Sequence, residues 1–119
     1  MKIAVTSTGQ DLDAPMDPRF GRAAYILIVD SDTMEYEVLD NAENVNAFKG
    51  AGIQAATMIS EKKADILLTG FCGPNAFKTL EAAGVKVGGD ASGTVRQAVM
   101  DYKDGKIDLA SAPNTQGHW

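Results

Sequence analysis

Two stretches constrain the fold of this chain more than any others: "AYILIVD" at 24–30 and "DILLT" at 65–69. Each is a nearly continuous apolar run, the pattern of a strand buried on both faces, and such a strand needs covering layers above and below. "KIAV" at 2–5 is a further short β-branched strand. "SDT" turns the 24–30 run back into "MEYEVLD" (34–40), where Met34, Tyr36 and Val38 alternate with Glu35 and Glu37. That alternation fits a half-buried strand at a sheet edge, where the glutamates discourage pairing with another sheet.

The covering layers follow from three helical patterns. From about Gly50, Ile53, Ala56, Met58 and Ile59 share one face, closed by "SEKK". In "PNAFKTLEAAG", Pro74 suits the first helical position, Phe77, Leu80 and Ala83 face inward, and Gly84 stops the helix. After a short strand "VKV" (85–87) and a flexible "GGDASG" turn, Val95, Ala98, Val99 and Tyr102 form a stripe, with Ser92 or Thr94 as cap. The segment between the first two strands, "TSTGQDLDAPMDPRFGRA", has neither period and is expected to be a long loop; such loops are functional or disordered.

The expected architecture is a single α/β domain over residues 1–119, with residues from about 110 forming a polar, flexible tail. Its five-stranded mixed sheet has an antiparallel first hairpin and parallel later strands, flanked by three helices. Ligands on such sheets sit at the carboxyl ends of the parallel strands, which brings loops 6–23, 70–75 and 88–94 together.

Composition narrows what can bind there. With 11 Lys+Arg against 16 Asp+Glu the net charge is −5, which argues against nucleic acid and other polyanions. A small anion would have to be held by a local arrangement. No apolar window approaches ~18 residues, so no membrane span is expected. "MKIAVTSTGQ" lacks the regions of a signal peptide, and a lone cysteine cannot form an internal disulfide, so a cytoplasmic setting is expected.

Three stretches can carry chemistry. "GFCGPN" (70–75) holds that cysteine, Cys72, at a strand-to-helix turn. It is a small buried apolar residue, a metal ligand, or a nucleophile activated by the helix that Pro74 opens. A nucleophile also wants a base, and the single histidine, His118, lies in the tail, where it is at most a weak metal-ligand candidate. "GGDASGTVRQA" places Ser92, Gly93 and Thr94 at a helix start, which offers N–H groups to an anion or is simply capped. "DPRFGRA" puts Arg19 and Arg22 around Phe20 and Gly21, either as a local positive field or paired with Asp11, Asp13 or Asp17. Met16 adds a thioether to the same loop. There is no P-loop, no Rossmann glycine motif after the first strand, and no carboxylate on "KIAV" for two-metal phosphodiester chemistry.

Taken in order, "MKIAV", "DPRFGRA", "GAGIQAA", "TGFCGPNAF", "ASGTVRQAV" and the terminal "GHW" resemble the dinitrogenase iron–molybdenum cofactor biosynthesis family. The resemblance implies a ribonuclease H-like fold and a non-catalytic carrier of a metal–sulfur cluster, of molybdenum–copper sulfide or iron–molybdenum and iron–sulfur type. It also implies a protein client or cluster donor as a partner. Carried onto this chain, the cluster-facing loops hold Arg19, Phe20, Gly21, Arg22, Phe71, Gly73, Pro74, Asn75, Ser92, Gly93 and Thr94. Met16 joins Phe20 and Phe71 as an apolar shield, and Cys72, a departure from the family's general pattern at that turn, is a metal-ligand candidate on its own chemistry. Two other readings stand beside it: an adaptor that recognises a protein through the same loops without metal, and a hydrolase or transferase with Cys72 as nucleophile.

Overall fold

The computed structural model describes residues 1–41, 51–89 and 91–109. The helix start expected near Gly50, the tail from about 110, and His118 lie outside these residues. The strands are β1 (Lys2–Ser7), β2 (Tyr25–Asp30), β3 (Tyr36–Asp40), β4 (Ile66–Leu68) and β5 (Lys86–Gly88). The helices among the described residues are α1 (Ala51–Glu61), α2 (Pro74–Ala82) and α3 (Val95–Lys103), with a 3-10 turn at Phe20–Arg22.

The sheet order is β3-β2-β1-β4-β5. β1 pairs antiparallel with β2 and parallel with β4, β2 pairs antiparallel with β3, and β4 pairs parallel with β5. Period-2 alternation explains the unbroken apolar runs, because each strand feeds two cores. Ala4, Ile26, Ile28, Leu39, Leu67 and Val87 face Ala55, Ala56, Ile59, Phe77 and Leu80 of α1 and α2. Ile3, Val5, Leu27, Val29, Ile66 and Leu68 face Val95, Ala98 and Val99 of α3. β3 is an edge as expected, and Glu37 on it pairs with Lys62 just past α1 at 2.6 Å.

Several expectations shift in detail. Ile53 is 40% exposed, and the inward stripe of α1 is Ala55, Ala56 and Ile59, with Met58 partly buried against the same core as expected. The reason is close helix packing: a Cβ on Gly52 would stand 3.1 Å from that of Ala76, so α1 presents its smallest residues to α2. Ala83 is exposed and caps α2, followed by Gly84 at φ +80°, a left-handed stop that suits glycine. Thr94, not Ser92, caps α3: its Oγ1 accepts from the Gln97 N–H at 3.0 Å.

Candidate functional site

β1 and β4 lie side by side in the sheet, and β1 connects toward β2 while β4 connects toward β5. This reversal is the topological switch point at which such sheets bind ligands. The chain closes the crevice itself. Thr6 and Thr69, both fully buried at the strand ends, meet hydroxyl to hydroxyl at 3.0 Å. Segment 16–20 lies across them: the Asp17 N–H donates to the Thr6 carbonyl, and the Thr6 hydroxyl donates to the Asp17 carbonyl. Met16 inserts into the core under α3, and Phe20 into the core under α1 and α2. The expected long loop is therefore pinned on both faces of the sheet.

A short parallel ladder continues outward. Arg19 bridges to Phe71, the Phe71 N–H donates to the Pro18 carbonyl at 2.7 Å, and the Phe20 N–H donates to the Phe71 carbonyl at 3.3 Å. Gly70 is needed for this approach, since a Cβ there would lie 2.6 Å from that of Pro18. Phe71 remains 41% exposed beside it.

The two helix starts that looked alike in the sequence differ. At α3 the N–H groups of Val95 and Arg96 donate to the carbonyls of Ala14 and Leu12 at 3.0 and 2.8 Å. Gln97 is capped by Thr94, and the Met16 N–H donates to the Gly93 carbonyl. The free N–H groups expected at this terminus are thus spent on docking the first loop, although Ser92 and Gly93 are themselves exposed. At α2 the cap residue Gly73 offers no side chain and Pro74 no N–H. The first intrahelical bond is Phe77 N–H to Gly73 carbonyl, and the N–H groups of Asn75 and Ala76 find no acceptor among the described residues.

Cys72 is turned inward. It is 1% exposed in the core with Phe20, Ala76 and Phe77, its thiol 3.8 Å from the Gly73 carbonyl. Burial pushes it up to about 12, so it is a neutral thiol and neither an activated nucleophile nor a preformed thiolate ligand in this arrangement. Met16 and Phe20 are likewise buried, which removes them from the outer loop surface and leaves Phe71 as its aromatic. Of the arginines, Arg19 pairs with Asp17 at 3.3 Å, while Asp13 is taken by Arg96 at 3.1 Å, a pairing that the sequence did not suggest. Arg22 is half-buried at the end of the 3-10 turn, and the buried Gly21 precedes it. The sequence reading also passed over Thr6 and Thr69, whose only signal is a hydroxyl at the end of an otherwise apolar strand.

Residues 1–105 match the sequence pattern of the family described as dinitrogenase iron-molybdenum cofactor. Among solved structures, the chain is 50% identical to the apo form of the orange protein from Desulfovibrio gigas, with a TM-score of 0.93 and 96% of each chain covered. It is 32% identical to a Thermotoga protein provisionally assigned to NifB, with a TM-score of 0.83 and 98% of each chain covered. A Methanocaldococcus jannaschii protein at 16% identity and a TM-score of 0.69, covering 95% of this chain and 97% of its own, shares the fold alone. The search of curated proteins gave no match. The chain belongs to the dinitrogenase iron-molybdenum cofactor family.

Proposed function

We propose that this protein is a small, non-catalytic carrier or storage protein for a metal–sulfur cluster, held noncovalently at the loops that follow β1 and β4. The cargo is of molybdenum–copper sulfide type or an iron–molybdenum or iron–sulfur cofactor precursor, passed between a donor and a client in the cytoplasm. The observation that carries the reading is the open first turn of α2 beside the Arg19–Phe71 ladder. A helix start concentrates about half a positive charge, which favours an anion within its first turn.

The donor set suits such a cargo. Among the described residues no three His, Cys, Asp or Glu side chains gather as a metal-ligand group. A thiometallate arrives with its own sulfide ligands and needs only N–H donors, a guanidinium and an apolar cover. Asn75 and Ala76 would supply the first, Arg19 and Arg22 the second, Phe71 the third. The 50% identity to a protein whose structure is described as an apo form supports a bound group in this chain as well.

The test is a substitution with opposite effects on stability and binding. Asn75→Asp places a carboxylate in the first turn of α2, where it stabilises the helix by ~0.3–1 kcal/mol. The same charge repels an anionic cargo. The variant should melt slightly higher and bind a thiomolybdate–copper cluster several-fold more weakly in a visible-absorbance titration. Equal binding by wild type and variant places the cargo elsewhere. The exposed Phe71 favours a second reading, an adaptor that docks a protein on the same face; capture of a partner without metal dependence is its signature.

A further inference from the structure

We infer that Asp17 is a positioning residue for cargo binding: its buried carboxylate holds one edge of the Arg19 guanidinium and thereby turns the other edge outward, toward an anionic sulfide. This inference rests on the carrier reading above. Among the described residues Asp17 is the one buried carboxylate, its side chain 6% exposed, whereas the Arg19 side chain is 54% exposed. Taking a carboxylate out of water is costly unless it is paired and hydrogen-bonded, so a fold that keeps one has tied it to a fixed partner.

The tie is specific in its atoms. Asp17 Oδ1 accepts from the Arg19 backbone N–H at 2.9 Å and from Nε at 3.3 Å, and Oδ2 accepts from Nη2 at 3.4 Å. The inner edge of the guanidinium is therefore occupied, and Nη1 has no partner among the described residues. A planar fork can serve two acceptors at once, one per edge, which an ammonium cannot do in a fixed direction. The backbone on both sides is anchored as well, through Thr6 beneath Asp17 and through the Arg19–Phe71 bridge. The Arg19 backbone is thus fixed beside Phe71, three residues ahead of α2, while its side chain stays half exposed.

Asp17 adds negative charge next to a site for an anion, so a field effect and a positioning effect have opposite signs. Asp17→Asn keeps an oxygen for the backbone turn but presents an NH2 donor where Oδ2 met Nη2. If Asp17 acts through Arg19, Asp17→Asn weakens uptake of tetrathiomolybdate with Cu(I) by roughly tenfold or more, the scale of a charged hydrogen bond. Arg19→Lys weakens it similarly, and the double variant is no worse than either single one. A second readout uses protein without cargo: the Arg19 Nε–H gives a slowly exchanging NMR signal in wild type that is lost in Asp17→Asn. Unchanged or tighter binding by Asp17→Asn, additive losses in the double variant, or an Nε–H that exchanges equally fast in both proteins overturns the inference. Wild-type protein that takes up no cluster overturns the carrier reading, and the Nε–H measurement then reports separately on the pair.

Discussion

At 1% exposure, the Cys72 thiol has almost no water with which to stabilise a negative charge. Its ordinary value of 9.0 is raised to about 12 by burial, so the fold holds the neutral form. The unfolded thiol ionises first, so the contribution from Cys72 is fully present below about pH 9 and is lost at about 1.4 kcal/mol per pH unit above it. Between about pH 8 and about pH 10.5, wild type should lose about 2 kcal/mol more stability than Cys72→Ala, read by urea unfolding at each pH. Cys72→Ser, which puts a smaller and more polar hydroxyl at this buried position, should lower stability by about 1–3 kcal/mol yet leave cluster absorbance in place. In the sequence, the glycines around Cys72 marked a turn correctly. What they could not show is the direction in which the thiol points, because that depends on Phe20 arriving from the first loop. Asp17 was legible only as one of three acids near two arginines; its burial comes from Thr6, a contact between separate segments.

Between elements, the two helix starts illustrate the same limit. "GPN" and "SGTV" both read as glycine-bearing turns that open a helix. The difference lies in carbonyls of Leu12 and Ala14, brought to α3 by a loop whose path no local pattern encodes. Thr94→Ala removes the side-chain acceptor at α3 and should cost about 1 kcal/mol in urea unfolding, the usual worth of such a cap. Gly70→Ala probes the ladder instead. A methyl group 2.6 Å from Pro18 Cβ and 2.9 Å from its Cα must push the two segments apart. The expected outcome is a loss of about 1–3 kcal/mol, as for overpacking elsewhere, together with weaker cluster uptake because Arg19 and Phe71 separate.

For the whole molecule, the sequence was legible wherever burial on two faces left its mark. The runs at 24–30 and 65–69 required covered strands, and the structure supplies α1 and α2 on one side and α3 on the other. The antiparallel first hairpin, the parallel later strands and the edge position of β3 follow from the same patterns. The first loop was the least legible part, since its order comes from backbone bonds to Thr6, Phe71 and Gly93 rather than from any period of its own. That loop seals the switch-point crevice, so the proposed cargo site lies outside it, against α2 and the Arg19–Phe71 ladder. The most direct measurement is reconstitution of wild-type protein with tetrathiomolybdate and Cu(I), followed by gel filtration with visible absorbance and molybdenum read across the protein peak. The carrier role requires a coloured peak carrying molybdenum and copper in fixed proportion to the chain; a colourless peak, with all metal in the small-molecule fraction, overturns it.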